Sequence, residues 1–342
     1  MRATFTQEQQ DIAKTVGALA DPERATGGLP THWQAPAGDA ALLRDFGLLG
    51  VPEQVGGIGS SLIDLLVAVE ALGERLVASR FPAHAAAVQL LCGSGHGTPL
   101  PDDVLDGSRV LTPAVDVPGD TARADQVSTR TPVRTLVPYA AQADAVVALG
   151  AAEGVWTTQP VAVTARESVD PSVPLSDVTL PDPQDIVPAG TGAARATLVV
   201  AAELCGVAQG AIELAAEQAR TRQQFGRVIG SFQGVAFQLA EAATARKAAW
   251  DLTLYAAWAV DNGRPDAEIQ VHAAKAAAGT AAVFAAERCI QVHGGMGITM
   301  EAVPHLFLRR ALVLDARFGR GSWHRRRAGE LRIAARRSSQ PH

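Results

Sequence analysis

Between Ala193 and Val292 an alanine-rich run is broken at only two turn-like points, Phe225-Gly226 and Asn262-Gly263 with Pro265 just beyond. Ala is the strongest helix former and a poor strand former, so breaks this sparse leave long helices. The spacing predicts helices over about Ala193–Arg222, Ser231–Val260 and Pro265–Val292, the first roughly 45 Å long at about 1.5 Å per residue. Pro265 can open the third, and Gly294-Gly295 closes it. Shorter helices are expected at about 301–315 and 323–336. Long helices joined by short connections imply an antiparallel bundle. Alanine supplies 65 of the 342 residues and the aromatics only 5%, which favours mostly helix for the whole chain.

The rest of the chain divides by texture. Phe5, Ile12, Val16 and Leu19 fall at near-helical spacing within 5–20, and 38–48 reads as a short amphipathic helix. A helix over about 60–77 follows, with Ser60 or Ser61 as its N-cap, and another over 82–92. Beyond Pro99 the prolines gather, and Val/Thr-rich runs at Val110–Val115, Ala145–Ala148, Val155–Ala165 and Val178–Leu180 read as strands between turns. The expectation is an α+β, mostly α protein: an N-terminal helical domain over 1–104, a small β domain over 105–190, and a C-terminal bundle over 191–342.

Several function classes are excluded early. Hydrophobic residues at 47% and charged residues at 19% are globular proportions. A net charge of −5 argues against a general nucleic-acid binder, although Arg outnumbers Lys 27 to 3. Cys92, Cys205 and Cys289 form neither a disulfide framework nor a zinc site, and the eight His show no ligand spacing. The polar start and the absence of an unbroken apolar run of about 18 residues predict a cytoplasmic protein with no membrane span. Gly56-Gly57-Ile58-Gly59 lacks dinucleotide-fingerprint spacing and reads as a turn.

Two segments could carry chemistry. In Arg222-Gln223-Gln224-Phe225-Gly226…Ser231-Phe232-Gln233 an Arg, an amide and an aromatic end one helix, and a Ser suited to N-capping opens the next. Free amides and the positive end of a helix favour anions, a guanidinium adds paired donors, and Phe225 offers a stacking face, so the group suits a diphosphate. The bland alternative is a solvated Arg-rich turn. In Gln291-Val292-His293-Gly294-Gly295-Met296-Gly297, three glycines in four positions permit close approach of backbone to a ligand. The alternative there is a plain helix C-cap.

Together the two segments resemble the acyl-CoA dehydrogenase family. Arg222 to Gly226 with Gln233 is similar to that family's R-x-x-F-G…Q signature, and Gln291 to Gly297 to its Q-x-x-G-G-x-G signature. Phe46 to Gly59 resembles its G-L…P-E-x-x-G-G loop, and Val173 to Pro181 the edge of its β domain. The resemblance covers nearly the whole chain and implies FAD as cofactor. It further implies that Arg222, Gln224, Phe225 and Gln233 hold the pyrophosphate and ribityl side. Gln291, Gly294 and Gly295 would then approach the adenosine side.

The same comparison shows departures. The family oxidises an acyl-CoA at Cα–Cβ with a Glu as base, and the two positions that carry this Glu hold Phe318 and Ala196 here. Neither can take a proton. The family's T-E-P-x-A-G-S-D flavin loop would begin near Val115, yet Val115 to Ala122 has none of it, and Trp156-Thr157-Thr158 is only a faint echo of the W-x-T strand. In homo-oligomeric members one FAD site is built from two subunits. Some members, including those acting on steroid side chains, pair two unlike chains, the shorter of which often lacks the base.

The implied role is therefore a subunit without catalytic residues of its own. It would donate the adenosine-diphosphate half of a shared FAD site to a longer partner chain carrying the Glu, with the acyl-CoA substrate on the partner. Two alternatives stay open: an active homo-oligomer with Glu203 or Asp315 as a relocated base, and a flavin-free acyl-CoA-binding or scaffold homologue. The Arg-rich tail (Arg325, Arg326, Arg327, Arg336, Arg337) reads as a solvated face or a docking site for acidic groups. The acyl group is left open between steroid side chain, branched acid and polyketide intermediate.

Overall fold

A computed structural model of the chain describes residues 5–20, 38–93, 99–115, 133–150 and 154–338. The N-terminal part is helical: α1 (Gln7–Ala20), α2 (Asp39–Phe46), α3 (Leu62–Glu74), α4 (Phe81–Cys92) and the single turn α5 (Asp102–Leu105). Of the two serines proposed as cap, Ser61 does the capping. Its hydroxyl accepts from the Asp64 amide, and the Asp64 carboxylate accepts from the Ser61 amide at 2.9 Å, a reciprocal capping box.

Seven strands follow in two sheets. β1 (Leu111–Val115), β3 (Ala145–Leu149), β4 (Gly154–Thr158) and β7 (Val187–Pro188) form one, with β1 and β3 parallel. β2 (Val133–Pro138), β6 (Leu175–Thr179) and β5 (Ala162–Arg166) form the other, all antiparallel. The run expected as one strand over Val155–Ala165 is two strands in different sheets. Gln159-Pro160 separates them, because Pro has no amide for a ladder.

The C-terminal part holds α6 (Gly192–Thr221), α7 (Gln233–Asp261), α8 (Ala267–His293), α9 (Pro304–Ala316) and α10 (Gly321–Ser338). α6 is the axis of the core and packs on α3, α4, α7, α8 and α9. It is long and apolar enough to cross a membrane by composition, yet 78% of its most apolar window is buried inside the fold. Its contact with α3 is backbone to backbone. A Cβ on Gly206 would lie 2.0 Å from the Glu70 carbonyl oxygen, and one on Gly73 2.3 Å from that of Glu203. The fold is thus the helical, β, helical arrangement expected from the sequence.

Two local expectations fail at the α6–α7 connection. The helix ends at Thr221, with Arg222 already extended at φ −70°, ψ 128°. Phe225-Gly226 is instead the turn of a small hairpin, β8 (Gln223–Gln224) and β9 (Arg227–Val228). Both turn residues have positive φ, 52° and 78°, as a two-residue hairpin loop requires. Ser231 is not the cap of α7. Phe232 holds that position without a side-chain cap, and the Ser231 hydroxyl donates to the Val228 carbonyl at 2.7 Å.

Candidate functional site

The hairpin gathers part of the sequence-derived site. The Ile229 amide donates to the Arg222 carbonyl at 2.8 Å, closing the base of the hairpin at the end of α6. Phe225 projects from its tip, 91% exposed, with its ring edge-on to Phe232 at 6.2 Å between centroids. The Arg227 guanidinium lies 4.0 Å from the Phe232 ring centre. This cation–π contact pins the hairpin to the start of α7. Arg220 is paired with Glu217 at 3.2 Å, whereas no described carboxylate pairs with Arg222.

An open cavity of about 350 Å³ lies between this hairpin, the first turns of α7 and the end of α8. Gln224 and Phe225 line it from the hairpin and Gln291 from α8. Ile229, Phe232 and Val235 give it apolar walls. Gly234 also lines it, and a Cβ there would meet nothing within 4 Å, so bare backbone faces the open space. The Val235 and Ala236 amides both donate to the Phe232 carbonyl, so the amides of Gln233 and Gly234 precede the first intrahelical bond of α7. The anion-favouring helix start expected at Ser231 therefore lies two to three residues further on.

Arg222, Gln233, Gly294 and Gly295 do not line the cavity. Arg222 stands at the foot of the hairpin and Gln233 beside Gly234. Gly294 ends α8 at φ 62°, ψ −141°, a conformation that glycine alone adopts readily, and both Gly294 and Gly295 face open space. Sequence reading missed Gln238, which lines the same cavity one turn beyond Gly234. Its signal is helical phase: once α7 starts at Gln233, residues 234, 235 and 238 share one face. An apolar wall, amides ahead of the first helical bond and the bare backbone of Gly234 are chemically compatible with the adenosine diphosphate portion of a dinucleotide such as FAD, with Arg222 at the foot of the hairpin outside the cavity lining.

The positions where a base would stand are apolar. Ala196 is buried on α6, and Phe318 is buried at φ 57° in the turn after α9, followed by Gly319 at φ 104°. That turn is held from below by Lys275 of α8, fully buried, whose Nζ donates to the carbonyls of Asp315 at 3.1 Å and Gly319 at 3.2 Å. Burial pushes the Lys275 ammonium down to about 8, against the pull of the Asp315 carboxylate. His324 Nε2 bonds the Phe318 carbonyl at 3.1 Å, and burial first, then Lys275 and His272, push this imidazole down to about 3.

The two carboxylates considered as relocated bases differ. Glu203 is buried and takes an Arg310 hydrogen bond at 3.1 Å, with Arg317 at 3.9 Å. Asp315 has Lys275 at 3.9 Å and lies against Gly279. Trp156 is buried in β4, and the residues from 116 to 122 expected as the flavin loop lie outside the described ones.

Comparison with known proteins gives a consistent set. The family model described as acyl-CoA dehydrogenase, C-terminal domain, matches residues 190–330. The acyl-CoA dehydrogenase IpdE2 of Mycobacterium tuberculosis is 30% identical over 322 residues, covering 90% of this chain and 92% of that protein. A chain of the ChsE4–ChsE5 complex from Mycobacterium tuberculosis superposes with a TM-score of 0.80 at 25% identity, covering 100% of both chains. Butyryl-CoA dehydrogenase from Megasphaera elsdenii shares the fold, with a TM-score of 0.82 at 17% identity over 97% of this chain and all of that one.

Proposed function

The chain belongs to the acyl-CoA dehydrogenase family, and we propose that it serves there as a non-catalytic subunit that completes an FAD site on a longer partner chain. The observation that carries this reading is the chemistry at positions 196 and 318. A base must present a carboxylate within reach of the substrate proton, and these positions hold a buried methyl group and a buried phenyl ring. Glu203 offers no substitute, since Arg310 and Arg317 already occupy its carboxylate inside the core.

The α7–α8 cavity supports the other half of the reading. It is open to the surface and lacks a second wall. The chain exposes Phe225 at the cavity, Phe237 on α7, and Met296, Ile298 and Met300 in the segment that follows α8. A cluster of exposed apolar groups beside a ligand groove marks a surface that another chain covers. One chain of the ChsE4–ChsE5 complex is similar over its full length, and that complex pairs two named chains.

In the proposed complex Arg222 and the first amides of α7 hold the diphosphate, with Gln224 and Phe225 on the same side and Gln233 next to them. Gln291, Gly294 and Gly295 approach the adenosine. FAD supplies the hydride acceptor for Cα–Cβ oxidation of an acyl-CoA. This chain binds and orients it and keeps water from its adenosine end, while the partner holds the base and the acyl-CoA.

The test is flavin and mass stoichiometry. Purified alone, the chain is expected to carry no stoichiometric flavin and no dehydrogenase activity. Recovered from its own cells with its partner, it is expected to hold one FAD per pair of unlike chains. Stoichiometric FAD together with acyl-CoA oxidation by the isolated chain would overturn the proposal.

A further inference from the structure

The three glutamines that reach the α7–α8 cavity are not equivalent. Gln224 and Gln291 are exposed, and among the described residues their side chains are held by nothing. Gln238, half-buried on α7, is held: Arg288 Nη1 of α8 donates to its Oε1 at 3.4 Å. Arg288 is itself fixed. Its guanidinium carbon lies 4.8 Å from the Phe284 ring centre, and its Nε is buried with no acceptor among the described residues.

A guanidinium has donors only, so the carbonyl end of the Gln238 amide must turn towards Arg288. Its –NH2 then points the other way, and Gln238 lines the cavity. We propose that Gln238 is a further ligand-contacting residue of this half-site, donating from Nε2 to an acceptor of the adenosine diphosphate portion of FAD, and that Arg288 is its positioning residue. The inference rests on the shared-FAD reading and adds to it a residue pair outside the two sequence signatures.

The chemistry is matched. Adenosine diphosphate presents acceptors over most of its surface: ring nitrogens, ribose oxygens and phosphate oxygens. Ile229, Phe232 and Val235 form an apolar wall and the Gln224 and Gln291 side chains are not held, so a fixed donor at the edge orients a flat ligand that the wall holds only by area. Arg288 does not line the cavity. Its charge acts through the amide, polarising the Nε2 protons towards the ligand.

The experiment uses the chain recovered in complex with its partner, with FAD as probe and the rate of FAD release on dilution, followed by flavin fluorescence, as readout. Gln238→Met keeps the length and loses the donor, and it is expected to speed release by about five- to tenfold, the worth of one neutral hydrogen bond. Gln238→Glu turns a carboxylate to Arg288 and withdraws the donor without opening a cavity, and it should match the Met variant. Arg288→Met is expected to have a similar effect, Arg288→Lys to recover part of it, and the double Met variant to be no worse than either single one.

Three outcomes overturn the proposal in distinguishable ways. Unchanged release in both Gln238 variants, with Arg222→Ala still losing FAD, removes Gln238 and leaves the shared site standing. Unchanged release in Gln238 and Arg222 variants alike removes the shared site and this inference with it. Strictly additive effects of the two Met substitutions remove the positioning role of Arg288.

Discussion

Arg310 on α9 and Glu203 on α6 meet at 3.1 Å in the core, where Arg310 is 2% and Glu203 3% exposed. The same guanidinium also pairs with Asp170, donates to the Ser172 hydroxyl and reaches the Val77 carbonyl at 3.3 Å. One side chain thus ties the C-terminal bundle to the segment between β5 and β6 and to the chain after α3. Burial disfavours its charge, but Asp170 and Glu203 more than compensate and hold it protonated.

Removing one partner of such a group leaves the others buried and unpaired. Arg310→Met is therefore expected to destabilise the chain by about 3–5 kcal/mol. A urea titration checks this. A loss below about 1 kcal/mol would show that Asp170 and Glu203 find water or new partners.

Gly206 faces the α3 backbone at a distance that leaves no room for a Cβ. Gly206→Ala must push α3 and α6 apart, at a cost of about 1–3 kcal/mol. The same substitution at Gly234, where a Cβ meets nothing, should be silent in thermal unfolding and should instead hasten FAD release from the complex. Equal thermal shifts at the two positions would contradict the difference in packing.

How much of this was legible in the sequence depends on how local the cause is. The helices α6, α7 and α8 follow from alanine density and from sparse Gly and Pro, which act within a turn or two. β2 was missed because Val133 to Pro138 is exposed along most of its length and carries no clean alternation. The β8–β9 hairpin was missed because Phe is an unusual residue for positive φ, so Phe225-Gly226 read as a helix stop. Gln238 shares a helix face with Gly234 and Val235 in any helix through these residues, but nothing local says which face of α7 the cavity takes. Nothing near Glu203 in sequence announces Arg310, which lies 107 residues away.

Imidazoles withdrawn from solvent make the fold acid-sensitive, His84 and His324 fully and His272 in part. Burial pushes His84 and His272 down to about 4 and His324 to about 3, from an ordinary value near 6.5. The unfolded chain therefore binds more protons below about 6.5, and stability present at neutral pH is lost as pH falls towards 4. His324→Gln should flatten that decline. An unchanged slope in urea titrations from pH 6.5 to 4 would rule out a contribution from His324.

Lys275 gives an effect of the same sign in an alkaline window. Its ammonium sits near 8 in the folded chain and near 10.5 when solvated. The penalty for keeping it charged is complete below 8 and is relieved as pH rises to 10.5, so this group adds stability with rising pH across that interval. Lys275→Met should remove the rise between pH 8 and 10.5. It should also free the Asp315 and Gly319 carbonyls, which makes the 315–319 turn easier to cleave by limited proteolysis.

Arg222 stands at the foot of the hairpin without a carboxylate partner among the described residues, and a charge-assisted bond to a diphosphate is worth about 1.5–3 kcal/mol. Arg222→Ala in the complex should weaken FAD retention roughly ten- to hundredfold, more than the loss of the neutral Gln238 donor. The ordering matters more than either value, because a scaffold that never touches FAD would show no order at all. Absent effects at both positions would point to such a scaffold.

Phe318 is the residue at which the non-catalytic reading is most exposed to refutation. It is buried at positive φ, and its neighbour Arg317 points towards Glu203 at 3.9 Å. Phe318→Glu places a carboxylate at one of the two positions where the sequence resemblance implies a base. If only that group were missing, the variant chain would gain acyl-CoA oxidation once supplied with FAD. We expect no gain, because Ala196 and the burial of position 318 stay as they are. We expect instead a clear drop in thermal stability, since an unpaired buried carboxylate costs several kcal/mol. Measurable flavin reduction by an acyl-CoA in the isolated variant would show that this chain kept a working site and lost only its base.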